Sequence, residues 1–411
     1  PAMYKLSDQL RSGYVRVPHK VSMSIDFSAG DYSDSNHRLD DTSAKITALK
    51  RKVKENLFSI TIMLVNEEEE KVNGTRCIFQ PRITVKSEDN SFRFCEYSAL
   101  TNFELMDIEE QSLELQYRNK SVFGSGLGTS VNWEVDETGS GLIYNDFFPD
   151  VEVPSMDFGI PEDYGIAKDA LSMRYLSDIN EVDKGVKLHN LSTVIDAYGK
   201  WINELLDKKV ALPPKYAEVA GYNINGCKLA MKRMRNGLEL LETNDAAWKA
   251  FMLANRAMFM QRVHITLQNM TSDKERYPDD DELSELLESI NYKGKAGITG
   301  DDYHWRLFQI AFLLMSIDSI VNDDGTDRKI VDLIWFPTGG GKTEAYLGLT
   351  AFTIFYRRLS YDNASGGTTV IMRYTLRLLA AQQFTRAATL ICACEYIRID
   401  ATSNKSKYGK Y

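Results

Sequence analysis

The sequence predicts an α/β, multidomain chain. It divides into a β-rich N-terminal domain over residues 1–160, an α-helical domain over 161–300, and the first part of a nucleotide-binding domain with a parallel sheet over 301–411. Three observations predict this. Short runs rich in β-branched and aromatic residues, divided by Asn, Gly, Asp and Ser clusters, fill residues 20–155. Apolar residues then recur at i, i+3 and i+4 from about 165 to 290. Near the C-terminal end, a strand-length apolar run leads through a glycine-rich turn into a helical stretch. A chain of 411 residues, 43% apolar and 26% charged, is an ordinary globular composition. At roughly 100–200 residues per domain it holds two to four domains.

In the first domain, Leu57–Val65, Arg76–Val85, Leu113–Tyr117 and Val131–Val135 read as strands. Asp41–Lys54 reads as a short helix ending in the basic cluster Lys50-Arg-Lys-Val-Lys54, a solvated face in preference to a phosphate contact. Gly124-Ser-Gly-Leu-Gly128 has the look of a nucleotide loop, but no helical pattern follows it. It is expected to be a turn or bulge. In the second domain the apolar stripe Leu191, Val194, Ile195, Tyr198, Trp201, Ile202, Leu205 and Leu206 predicts one long helix. Pro213-Pro214 opens a second, and Asp245–Met270 makes a third. Their methionines and aromatics are expected to pack between helices. Arg233, Arg235, Arg256 and Arg262 are candidates for an outward basic track.

Charge and cysteine usage exclude several classes. The net charge is −9, so the whole molecule is no basic nucleic-acid glove. Residues 341–411 nevertheless carry ten Lys/Arg against four Asp/Glu, so an anionic partner is expected near that end. Five cysteines, odd in number and without a C-x-x-C pair, indicate neither a disulfide framework nor a zinc knuckle, and a reducing cytoplasm is expected. The five scattered histidines propose no metal site. No apolar run approaches the ~18–20 residues that span a bilayer, so no membrane partner is expected.

The chemistry-bearing motif follows Ile330-Val-Asp-Leu-Ile-Trp-Phe336. It is Pro337-Thr-Gly-Gly-Gly-Lys-Thr343, which runs into the helical stretch Glu344–Arg358. Gly339, Gly340 and Gly341 let the backbone curl so that its N–H groups surround phosphate oxygens at the positive end of a helix. Lys342 is suited to neutralise the β- and γ-phosphates, and the Thr343 hydroxyl to coordinate Mg²⁺. ATP and Mg²⁺ are the expected cofactors, held by Thr338, Gly339, Gly340, Gly341, Lys342, Thr343 and Glu344, with Lys342 and Thr343 as catalytic residues. Phe336 stands where the general G-x-x-x-x-G-K-T pattern has its first glycine.

Beyond a polar loop, Thr368-Thr-Val-Ile-Met372 reads as the next parallel strand. Arg373-Tyr-Thr-Leu-Arg-Leu-Leu-Ala-Ala-Gln-Gln383 leads from its carboxyl end, the ligand side of a doubly wound sheet, into a helix. These two units resemble motifs I and Ia of superfamily 2 helicases. That resemblance implies a RecA-like domain, incomplete here, and DNA-backbone contacts at Arg373, Tyr374, Thr375, Arg377 and Gln382. Upstream, His304-Trp-Arg-Leu-Phe-Gln309 is similar to the aromatic-x-x-Gln element of such helicases. It implies an adenine contact for Gln309, with Arg306 serving the same site.

Longer strings resemble one family more closely. Trp335–Leu349, Arg373–Phe384 and Ile391-Cys-Ala-Cys-Glu395, with Gln116–Phe123, Trp133-Glu-Val135 and Glu152-Val-Pro154 upstream, look like the DrmA family of helicase-like subunits in DISARM anti-phage systems. Membership implies an ATP-driven DNA translocase in a bacterial defence complex, working with a DrmB-type partner subunit. The rival expectations are a P-loop ATPase or kinase that does not act on nucleic acid, and a scaffold or DNA-gating module for a partner. After Gln383 no D-E-x-x string and no second RecA-like domain follow, so the 411 residues are expected to be an N-terminal portion that binds nucleotide without steady turnover.

Overall fold

Alternation of side chains and cross-strand pairing build the first part of the chain. The computed structural model describes residues 2–6, 9–13, 18–26, 30, 32–39, 42–68, 77–87, 92–96, 102–146, 156–178, 183–272, 279, 281–282, 303–335, 339–361, 366–373 and 377–402. The chain divides into two compact units, Pro1–Val153 and Pro154–Tyr411.

In the first unit, β1 (Ala2–Leu6) and β2 (Gln9–Gly13) form an antiparallel pair. β3 (Tyr32–Arg38), β4 (Ala44–Lys54) and β5 (Leu57–Asn66) form an antiparallel meander in that order. The expected helix over 41–54 is thus a strand. β4 pairs along its length with β5, Lys45 opposite Val65 and Lys50 opposite Ile60, and this pairing outweighs the helix-forming lysines of its basic end. Of that cluster Lys50 is buried, while Arg51, Lys52 and Lys54 are exposed. A third antiparallel sheet has the order β6 (Thr84–Lys86), β8 (Gly141–Asp146), β7 (Ser130–Val135). Among the described residues of the expected strand over 76–85, only Thr84 and Val85 pair.

The expected strand over 113–117 is instead the end of α1 (Ile108–Gln116). Its N-terminus is a capping box: the Asp107 side chain accepts from the Glu109 and Glu110 N–H groups, and the Glu110 carboxylate accepts from the Asp107 N–H. Gly124-Ser-Gly-Leu-Gly128 is irregular chain leading into β7, without a helix.

The second unit is helical: α2 (Met173–Ser177), α3 (Lys184–Val210), α4 (Ala217–Thr243), α5 (Asp245–Ser272), α6 (Leu307–Val321), α7 (Lys342–Ser360) and α8 (Arg377–Thr402). Its buried apolar residues, Ala170 to Ile397 among them, form one cluster, so the described residues of 161–300 and 301–411 share one hydrophobic core. α5 is its centre. Ala247, Phe251, Leu253, Ala257, Met258, Phe259 and Val263 bury sides of this helix against α2, α4, α7 and α8. Gly237 and Gly348 permit close approach in this core. A Cβ on Gly237 would stand 2.0 Å from the Leu314 carbonyl oxygen, and one on Gly348 would stand 2.6 Å from the Trp305 ring. The buried Trp305 indole N–H donates to Asn255 Oδ1 at 2.7 Å, tying the chain before α6 to α5.

The parallel sheet expected at the C-terminal end is not found among the described residues. Segments 330–335 and 368–373 have no regular structure and carry no strand pairing, and Val331, Leu333, Trp335 and Ile371 are strongly exposed. Side chains of a parallel strand are buried on both faces by neighbours, and no such neighbour lies among the described residues. The segments are held by side chains instead. Arg233 of α4 grips Asp332 with two hydrogen bonds, of 2.6 and 2.8 Å, and Asp327 with one of 3.1 Å. Arg357 of α7 donates to the carbonyls of Gly366 and Thr368 and to the Thr369 hydroxyl. No described helix is long and apolar enough to cross a membrane.

Candidate nucleotide site and its neighbours

α7 begins where the glycine-rich turn ends. Gly341 is its N-cap, in the left-handed region at φ 80°, and Gly339 has φ 85°. A side chain is strained in that conformation. Gly341 is also required by space, because a Cβ there would lie 2.7 Å from Gln309 Nε2 and 3.3 Å from Arg306 Nη1. Lys342, Thr343 and Glu344 are the first three residues of the helix, so their backbone N–H groups have no partner within it. Gly339 is exposed, Gly340 buried, Lys342 and Thr343 half-buried, and Glu344 buried. Thr338 lies outside the described residues.

The upstream pair meets this loop. Gln309, 3% exposed, donates from Nε2 to the Gly341 carbonyl at 2.7 Å, and its Oε1 accepts from the Arg306 N–H at 2.8 Å. Its amide thus buttresses the loop. The Arg306 guanidinium stacks 3.7 Å from the centre of the Phe158 ring, and its buried Nη1 has no hydrogen-bond partner among the described residues.

Two further arginines converge here that motif reading did not single out for this site. The Glu344 carboxylate accepts from Arg386 of α8, and Arg262 of α5 lies 3.5 Å from the same oxygen. Burial, and secondarily the charge of Arg262, push the Arg386 guanidinium below its ordinary pKa. Arg262 also lies over Tyr303, 5.8 Å from its ring centre. Neither arginine stands in a local motif. Their sole sequence signal is placement on a face of a long helix, which does not say which loop that face meets.

Of the expected DNA-contacting residues, Arg373 is exposed at the end of segment 368–373, and Gln382 is exposed on α8. Arg377 is the first residue of α8, while Tyr374 and Thr375 lie outside the described residues. The expected outward basic track does not hold for Arg233, which is buried between Asp327 and Asp332.

No family model matches the chain. A curated relative does: it is 35% identical over 355 residues to the DISARM protein DrmA of Bacillus paralicheniformis, an alignment that covers 83% of this chain. The chain spans 29% of the length of that relative. Identity of this degree over most of the chain makes it a DrmA-like protein.

Proposed function

We propose that this chain carries the nucleotide loop and a DNA-contacting segment of an ATP-dependent DNA helicase or translocase in DISARM-type anti-phage defence. The observation that carries the reading is convergence: Gly339–Glu344, Gln309 and Arg306 meet at the first turn of α7, in a chain similar to DrmA. The loop fits a triphosphate on three counts. The first N–H groups of α7, which the helix itself does not use, lie at its positive end. Gly341 keeps the loop free of a side chain. The buried Arg306 Nη1 lacks a hydrogen-bond partner among the described residues, a vacancy that a polar ligand atom satisfies.

Lys342, Thr343 and the first N–H groups of α7 would hold ATP and Mg²⁺, with Thr338 and Glu344 beside them. ATP bound there supplies the phosphoanhydride whose hydrolysis drives movement on DNA. Lys342 sets positive charge against the terminal phosphates, and the Thr343 hydroxyl offers an oxygen ligand to the cation. Gln309 holds the Gly341 carbonyl and so keeps the loop in its anion-binding shape. Arg306 flanks the same glycine and serves the same nucleotide. Arg373, Tyr374, Thr375, Arg377 and Gln382 form the DNA-backbone contact at the start of α8. A DrmB-type subunit is the proposed partner.

The test is ATP turnover by the full-length protein with and without DNA. Turnover that rises with DNA, together with DNA affinity that falls steeply as salt is raised, supports the reading. Turnover indifferent to DNA replaces it with a P-loop ATPase that does not act on nucleic acid.

A further inference from the structure

We infer that Glu344 is a positioning residue that couples the nucleotide loop to DNA on α8, acting through Arg386; the inference rests on the function just proposed. Glu344 is buried in the first turn of α7, and its Oε2 stands 3.5 Å from the point a Cβ on Gly341 would occupy. Its carboxylate therefore borders the space beside the loop. The same carboxylate accepts from Arg386, which lies on α8 one helical turn after the exposed Gln382. One ion pair thus joins the turn that would hold phosphate to the helix that would hold DNA.

The charges in this cluster are unequal. Two guanidiniums, Arg386 and Arg262, share one carboxylate, and Arg386 is half-buried beside the like charge of Arg262. Phosphate oxygens on the N–H groups of Gly341, Lys342 and Thr343 would set a second negative charge next to Glu344. The two guanidiniums then divide between carboxylate and phosphate. A change of partner at Arg386 alters the charge and packing of the α8 turn that carries Gln382. By linkage, DNA on that turn changes nucleotide affinity by the factor with which nucleotide changes DNA affinity.

The experiment measures the dissociation constant of a fluorescein-labelled single-stranded oligonucleotide for the full-length protein, with and without Mg²⁺ and adenylyl-imidodiphosphate. It is repeated for Glu344→Gln, Arg386→Gln and the double variant. In the wild type the two constants differ by about 5–150-fold, the usual range for coupled sites. In each single variant the ratio falls to within about twofold of one, and the double variant falls no further, as expected of residues acting as a unit. Loss of stability alone does not move this ratio. If Glu344→Gln does not fold, Arg386→Lys and Arg386→Gln carry the test. The lysine keeps the charge without the planar fork and is expected to retain part of the coupling that glutamine abolishes. A wild-type ratio preserved in the folded variants overturns the inference alone, as does a wild type that binds both ligands with a ratio of one. A wild type that binds no nucleotide overturns the proposed function and the inference with it.

Discussion

Replacing Arg233 by methionine isolates the contact that anchors the chain just before the nucleotide loop. The guanidinium, 6% exposed, makes two hydrogen bonds to Asp332 and one to Asp327. Asp332 raises its pKa further, through the hydrogen bond first and then through charge. Methionine keeps the apolar stem and removes the cation, leaving two carboxylates facing one another. Breaking a fully buried pair costs about 3–5 kcal/mol. Asp327 and Asp332 are 15% and 27% exposed, so water reaches them and about 2–3 kcal/mol is the better figure. At about 2–4 °C per kcal/mol for a unit of this size, scanning calorimetry should show a Tm lowered by about 4–12 °C. Salt should change this difference less than it would for an exposed pair, because the clamp is partly buried. Residues 330–335 precede the loop in sequence, so nucleotide affinity should fall several-fold as well. A Tm within 1 °C of wild type, together with unchanged nucleotide affinity, would refute the reasoning.

Three further outcomes are expected. Gly341→Ala forces a side chain into the left-handed region, at a cost of about 1–2 kcal/mol, and into contact with Gln309, so nucleotide affinity should fall about tenfold or more in a titration; equal affinity would mean that the loop does not form the site. Asn255→Ala leaves the Trp305 indole N–H buried without its acceptor and should lower stability by about 1–3 kcal/mol in denaturant unfolding, whereas a loss below about 0.5 kcal/mol would contradict that role. Burial pushes the Cys394 thiol up to about 12 while Cys392 is exposed, so iodoacetamide at pH 8 should label Cys392 and spare Cys394, and equal labelling would mean that α8 is not packed there.

What was legible in the sequence follows from the range of the forces involved. The apolar stripes of α3, α4 and α5 were plain because each long helix repeats its pattern over many turns against one core. β5 was plain for its β-branched run. β4 was not, because its lysines favour a helix in isolation and only pairing with β3 and β5 makes it a strand. α1 was missed although Asp107 and Glu110 stand at capping-box spacing, a signal that outweighs the β-like residues of 113–117. At the site, Gly339–Glu344 were marked by local chemistry, and Gln309 and Arg306 by the string that holds them. Arg262, Arg386 and the Arg233 clamp were beyond reach as site residues. Each acts across a gap of many residues, which depends on how helices pack. The strands expected at 330–336 and 368–372 are apolar enough for a sheet, but pairing needs neighbours, and none lies among the described residues.

The central claim is that the loop at the head of α7 binds ATP for work on DNA. Steady-state ATP turnover by the full-length protein in the presence of DNA, compared between wild type and Lys342→Ala, tests it most directly. DNA should stimulate turnover in the wild type, and the folded alanine variant should lose it. Turnover undiminished in the folded Lys342→Ala protein would contradict it.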